Sequence, residues 1–331
     1  MKIRKRKAAF DVIGLGSALL DLIVPVDDED LDRLGLRKGA MMLIDEARSR
    51  EILASLSDKN VQIEPGGSSA NTVAGVAGLG GRGLFMGKVG TDEHGAKYIS
   101  ETERAGVKPV ISMDEGMTGH AITFITPDSE RTFATHLGAA VRFAKDDVDI
   151  DQLRRGKILH IEGYLLEPPA PREACLKAME EAKRAGLLIS IDLSDASLIG
   201  RMRDVFEQVL KEFADIVFAN EDEARAFTGR TPEEAAERLS RYCDFVAVKI
   251  GVEGSIIHTG GRTYRIRAVT TTLVNTNGAG DMYAAGVLYG IANGHSPDKA
   301  GIIGSHAAAK VVSQAGARVS GKIEIVIGET A

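Results

Sequence analysis

The chain reads as an α/β protein built around a mainly parallel sheet, and three observations carry that reading. Short apolar runs recur along the whole sequence, each is the length of a buried strand, and segments with helical spacing separate them. The runs lie at 10–15, 84–89, 157–161, 187–192, 216–219, 245–250 and 255–258. The pattern predicts helices over 172–185 and 231–241, the second opening on Thr231 as cap with Pro232 at the first helical position. With helices between successive strands, both faces of the sheet are covered.

Two stretches, 21–45 and 107–135, have a different texture, with alternating residues and frequent turns. Within the second, 118–126 and 131–135 read as strands around the turn at 127–130. Near the end, 263–274 is β-branched and strand-like, and 282–291 carries apolar residues at helical spacing. There is no internal repeat, low-complexity tract or long linker, so the alternating stretches are expected as an insertion into a single domain spanning 1–331.

Composition narrows the function classes. The 331 residues are 44% hydrophobic, enough for a substantial core, and the formal net charge of -6 argues against a nucleic-acid-binding surface. Cys175 and Cys243 lack metal-ligand or disulfide spacing, which fits a reducing cytoplasm. The basic start, Met1 to Lys7, reads as a solvated tail, with neither a signal peptide nor a membrane span following it.

The chemistry concentrates in Val274-Asn275-Thr276-Asn277-Gly278-Ala279-Gly280-Asp281, a glycine-rich turn entering a helix. Unpaired amides and the positive end of the helix dipole stabilise a phosphate oxygen there. Asp281 stands beside them, able to accept a proton from an attacking hydroxyl. By composition alone the octet is equally a plain turn with a favourable early-helix Asp. Two rival phosphate motifs fail on context. Gly78-Leu79-Gly80-Gly81-Arg82-Gly83 matches the dinucleotide pattern but follows a helix and precedes a strand, the reverse of the order required. Gly87-Lys88 is followed by Val89, and Arg82 stands where a Walker A loop needs its first Gly.

The octet resembles the Asp-Thr-x-Gly-Ala-Gly-Asp motif of the ribokinase-like (PfkB) carbohydrate and nucleoside kinases, with Asn275 in place of the first Asp. Two further elements follow the same family in order and spacing. One is Pro65-Gly66-Gly67-Ser68-Ser69-Ala70-Asn71, running on to Gly87-Lys88-Val89-Gly90-Thr91-Asp92; the other is Asn220-Glu221-Asp222-Glu223, matching Asn-x-x-Glu. The resemblance covers most of the chain and implies a three-layer α/β/α sandwich whose alternating stretches form a small β lid. Lid strands of this kind pair between subunits, giving a homodimer through the lid, or stay within one chain.

The same resemblance implies the site. Asp281 is the base and Gly278, Ala279 and Gly280 form the anion-binding turn, with Arg131 brought in from the lid. Ser17, Asp21, Gly66, Gly67 and Asn71 bind the substrate's sugar, Asp21 taking two adjacent hydroxyls on its two oxygens. Met42 and Phe133, with Met41 and Leu43, offer an apolar wall for a purine, although such residues are more often plain core. Asn220, Lys249, Gly251, Gly254, Asn277 and His306 meet ATP, and Glu223 organises water around Mg²⁺. In many members the Asp at position 275 helps hold a monovalent cation, K⁺, with groups matching Val311, Gln314, Gly316 and Ser320; Asn275 removes its charge. The expected activity is ATP-dependent phosphorylation of the primary hydroxyl of a nucleoside, adenosine first, by similarity to bacterial adenosine-kinase-like members. A free-sugar kinase acting on ribose or fructose is the alternative, and a non-catalytic nucleoside or sugar sensor is the other; the intact Asp281 argues against the sensor.

Overall fold

The computed structural model describes residues 8–128, 130–314, 316–319 and 321–325. In chain order the first strands are β1 (Phe10–Leu15), β2 (Leu19–Pro25), β3 (Met41–Leu43), β4 (Gln62–Pro65), β5 (Gly83–Gly90), β6 (Val107–Asp114) and β7 (Gly119–Ile125). They are followed by β8 (Arg131–His136), β9 (Gly156–Glu162), β10 (Leu188–Asp192), β11 (Ile216–Asn220), β12 (Phe245–Lys249), β13 (Ser255–Thr259) and β14 (Arg262–Ile266). They make a nine-stranded sheet, ordered β14-β13-β12-β11-β10-β9-β1-β5-β6, and a five-stranded sheet, ordered β3-β8-β7-β2-β4.

The large sheet is parallel from β6 through to β12, and only β13, antiparallel to both β12 and β14, runs against the rest. Its interior strands are mostly apolar and buried because helices cover both faces. In β1, Phe10, Ile13 and Leu15 belong to one core with the Pro169–Ala185 helix, while Val12 belongs to the other, with the Ser68–Gly78 and Ala279–Ala292 helices. The Pro169–Ala185 helix ends on Gly186 at φ 75°, a left-handed cap that suits glycine. The connections run outward from β1 to β5 and β6 on one side, and from β9 to β12 on the other. Strand order therefore reverses beside β1, and an open sheet of this kind binds ligands in the crevice at the carboxyl ends of such strands.

Three elements differ from expectation. The stretch from 107 opens with β6, which lies at the edge of the large sheet, so only β7 and β8 of that stretch enter the small one. The small sheet instead recruits β4, a four-residue strand too short to show alternation, paired antiparallel to β2. The strand-like run 263–274 stops at Ile266, because beyond it the chain leaves β13 and Val274 and Asn275 donate their amides to the Val312 carbonyl. No helix among the described residues is long and apolar enough to cross a membrane.

Candidate active site

Four neighbouring strands of the large sheet end on polar side chains in one row: Glu162 on β9, Asp192 on β10, Asn220 on β11 and Lys249 on β12. Glu162 is in register with Asp192, and Asn220 with Lys249. Asn220 caps the Glu221–Thr228 helix, accepting from the Glu223 amide at 2.8 Å, while its own amide groups donate to both Glu223 carboxylate oxygens at 2.8 and 2.7 Å. Glu223 is buried, and that burial, with repulsion from Asp192, pushes its pKa up to about 7. Lys249 Nζ donates to Asp192 Oδ2 at 3.0 Å. Burial works against the ammonium charge, but the carboxylates of Asp192, Glu223 and Asp281 outweigh it and hold its pKa above the ordinary value.

Across this row lies the glycine turn. Gly278 caps the Ala279–Ala292 helix at φ 74°, and a Cβ there would stand 2.2 Å from the Ala317 carbonyl oxygen, so no other residue fits without displacing backbone. The Ala279 amide donates to the Thr276 carbonyl at 3.2 Å, which removes it from the anion-binding set expected from sequence. Among the described residues the Gly278 and Gly280 amides have no such partner. Lys249 Nζ approaches from the sheet edge, 3.1 Å from where a Gly280 Cβ would be. An open cleft of about 350 Å³ lies here, lined by Asn220, Glu221, Asp222, Lys249, Gly251 and Gly280. Gly254 and His306 are not among its lining residues. Gly254, at φ 106°, is demanded by the Ile266 carbonyl, 2.0 Å from its Cβ position, and His306 is half-buried on the Pro297–Val312 helix.

Asp281 sits in the first turn of its helix and faces the start of the Ser68–Gly78 helix. Ser68 Oγ donates to Oδ1 at 2.7 Å and Asn71 Nδ2 to Oδ2 at 2.9 Å. A carboxylate has about four acceptor sites, so each oxygen keeps one for a further donor. Burial raises its pKa; the bonds from Ser68 and Asn71 oppose that, Asp192 adds to it and Lys249 opposes it. A hydroxyl placed between Asp281 and the Gly278 and Gly280 amides would meet a base on one side and anion-stabilising donors on the other.

The remaining residues surround this point. Gly67 caps the Ser68–Gly78 helix at φ 89°, with a Cβ position 2.2 Å from the Ser17 carbonyl oxygen, and a Gly66 Cβ would lie 2.8 Å from the Asp21 carboxylate. Both glycines let this corner close. Asp21 is pushed up to about 6, by burial first, with Arg318 opposing and Glu64 and Asp281 adding repulsion. Glu162 accepts from the Ser17 amide at 2.7 Å and the Ser69 amide at 2.8 Å, and burial pushes it up to about 7.

Register decides which small-sheet side chains share Asp21's face. Asp21 pairs with Glu64, Thr123 with Ile23 and Phe133, Arg131 with Ile125, and Phe133 with Met41, so all of these, with Leu43, point to one side. Arg131 Nη1 donates from that side to Asn277 Oδ1 at 2.7 Å. Met42 pairs with Ala134 and takes the opposite face, with Leu22, Ile122 and Phe124, which pack on Leu31 and Ile52 of the covering helices. The apolar wall on Asp21's side is therefore Phe133 with Met41, Leu43 and Ile23, and Met42 is not part of it.

Around Asn275, Oδ1 accepts from the Asn277 amide at 2.9 Å and Nδ2 donates to the Gly316 carbonyl at 3.0 Å. The Val311 carbonyl accepts from the Gln314 amide at 3.3 Å, Gln314 Nε2 donates to the Arg318 carbonyl at 2.8 Å, and Ser320 lies outside the described residues. Sequence reasoning assigned no role to Ser68, Glu162, Asp192 or Arg318. Glu162 and Asp192 close apolar strand runs, the signal that picked out Asn220. Arg318, which donates to Asn71 Oδ1 from 247 positions away, left none.

The chain matches known proteins in sequence and in fold. Residues 40–323 match the model of the pfkB family carbohydrate kinases. The adenosine kinase of Sinorhizobium meliloti superposes with a TM-score of 0.86 at 37% identity, covering 94% of this chain and 96% of that one. A probable sugar kinase of Rhizobium etli superposes with a TM-score of 0.86 at 34% identity, covering 94% and 95%. The 5-dehydro-2-deoxygluconokinase of Bacillus subtilis is 31% identical over 262 residues, 75% of this chain and 81% of its own length.

Proposed function

The chain belongs to the pfkB family of carbohydrate kinases, a family of phosphotransferases with alcohol acceptors, and from that premise we propose that it phosphorylates the primary 5′-hydroxyl of a nucleoside, adenosine first, using ATP. One observation carries the choice of substrate: Asp21, suited to a vicinal diol, shares a sheet face with the apolar side chains of Ile23, Phe133, Met41 and Leu43. A sugar hydroxyl pair and a flat base together use both halves of that face. Charge supports a neutral acceptor, because at Asp21 the carboxylates of Glu64 and Asp281 face a single cation, Arg318. A sugar acid of the kind named for the Bacillus subtilis relative would meet this excess of carboxylates; a neutral sugar would not, and is the second reading.

In this mechanism the acceptor oxygen attacks the γ-phosphorus as its proton passes to an Asp281 oxygen, and the bond from phosphorus to the ADP oxygen breaks with its electron pair on ADP. The Gly278 and Gly280 amides, Lys249 and Arg131 face the charge that spreads over the transferring group. Mg²⁺ suits Glu223 through water, since each carboxylate oxygen retains an acceptor site after bonding Asn220, and it would neutralise phosphate charge. The small sheet acts as a lid that brings Arg131 and the apolar wall onto the acceptor. The Asn275 amide joins the turn directly to the Gly316 carbonyl, so the protein should need little or no K⁺. Coupled ADP-release assays with adenosine, ribose and fructose test the reading. Adenosine should show the highest kcat/KM, and equal efficiency with ribose would replace it by sugar phosphorylation.

A further inference from the structure

The segment after the Pro297–Val312 helix joins the two halves of the site. The Ala317 carbonyl packs on Gly278, and a Gly316 Cβ would lie 2.3 Å from Glu64 Oε2 on β4. Arg318 then reaches across to the acceptor side. Its Nε donates to Asn71 Oδ1 at 2.7 Å, and its Nη2 to the Gly66 carbonyl at 2.8 Å, with the Tyr98 hydroxyl at 3.4 Å. The guanidinium also lies over the Tyr98 ring, 5.7 Å from its centroid. These partners belong to one corner: Tyr98 OH itself donates to the Gly66 carbonyl at 3.1 Å, and Gly66 lies against the Asp21 carboxylate.

An amide side chain has two faces, an acceptor oxygen and a donor nitrogen, and its partners decide which way it points. Asn71 offers its nitrogen to Asp281 only while its oxygen is claimed by a donor on the other side. Arg318 is that donor. We propose that Arg318 is a positioning residue: it fixes the Asn71 amide so that its NH₂ serves Asp281, and it supplies the positive charge that offsets Asp21 at the diol site. The inference deepens the kinase reading given above and rests on it for the roles of Asp21 and Asp281. The charged groups that face Asp21 are Arg318 from the C-terminal segment, Glu64 from β4 and Asp281 from the Ala279–Ala292 helix, and only the first is a cation. With Arg318 in place Asp21 titrates at about 6, and without it the two carboxylates act unopposed and drive the midpoint higher.

The test compares Arg318→Gln and Arg318→Lys with the unmodified enzyme. For Arg318→Gln, kcat/KM for adenosine should fall by a factor of about ten to a hundred near neutral pH, the scale of a lost charge-assisted hydrogen bond. The rise in acceptor KM on acidification should move to higher pH. Arg318→Lys keeps the charge but loses the planar fork, so it should retain the unmodified KM–pH profile while kcat stays low. A carbon-13 carboxyl titration of ligand-free protein reads Asp21 without any substrate: its midpoint should rise in Arg318→Gln and recover in Arg318→Lys. An unchanged Asp21 midpoint in folded Arg318→Gln would overturn the proposal. Failure of the unmodified enzyme to act on adenosine would overturn only the nucleoside reading, leaving the titration to decide the role of Arg318.

Discussion

On the proposed kinase reading, the nucleotide side and the acceptor side of this site are built in opposite ways. On the nucleotide side the groups come in contiguous pieces: Asn275 to Asp281 in one turn, Asn220 to Glu223 in one cap, and Lys249 with Gly251 at one strand end. On the acceptor side they come singly from distant places, Asp21 from β2, Asn71 from a helix, Phe133 and Arg131 from β8 and Arg318 from the C-terminal segment. Local backbone geometry suffices to cradle a phosphate, because amides and a helix dipole recognise it regardless of side chain. A particular alcohol must instead be surrounded by chosen side chains, and no short segment can surround anything.

The largest effect should come where the two sides meet. Asp281→Asn is expected to retain acceptor binding, seen as a ligand-dependent rise in Tm, while turnover falls by a factor of about a hundred or more. Near-normal ADP release by that variant would remove Asp281 from its role as base. On the acceptor side alone, Phe133→Ala should raise KM for adenosine by about tenfold, the worth of roughly 1.4 kcal/mol of apolar contact, and leave KM for ribose little changed. Equal losses for both substrates would mean that the wall at Phe133 does not meet a base.

A pH series sharpens the contrast through Glu162, which braces Ser17 and Ser69 between the two sides. Its folded pKa, about 7, exceeds the unfolded value of 4.5. The folded state therefore holds this proton more tightly, and the stability it contributes is present below 4.5 and lost as pH rises through about 7. Glu162→Gln cannot titrate, so the Tm of the variant minus that of the unmodified protein should be larger at pH 8 than at pH 5, whatever constant offset the lost acceptor adds. A difference independent of pH would mean that Glu162 keeps an ordinary pKa. The smallest effect concerns the nucleotide side. Rates should respond weakly or not at all to K⁺ at constant ionic strength, and a few-fold more in Asn275→Asp, where a restored charge draws the ion beside Gly278. Strong activation of the unmodified protein would show that the Asn275–Gly316 hydrogen bond does not replace the cation.

Much of the architecture was legible because its signals are local. Short, mostly apolar runs such as 10–15 and 157–161 read as strands covered on both faces, and β1 and β9 lie in the interior of the large sheet. The glycine turn was legible for the same reason, since Gly278 and Asp281 fall within one helical turn. The reading failed where pairing partners decide the outcome. Val107–Asp114 has the alternation of a half-exposed strand, and either sheet would have taken it; β5 captured it as a parallel neighbour. Met42 and Phe133 looked equivalent as apolar residues, but a side-chain period of two in paired strands puts them on opposite faces.

By itself, then, the sequence determined most of the strand and helix order, the family and the glycine-rich turn that enters a helix, all of which depend on residues within a few positions of one another. Only the tertiary structure decided that Asn275 bonds Gly316 where a charged residue would draw an ion, and that Arg318 closes the acceptor corner. Those outcomes rest on hydrogen bonds between segments as far apart as 252 positions, and a sequence carries no local record of which distant donor will arrive at a given oxygen.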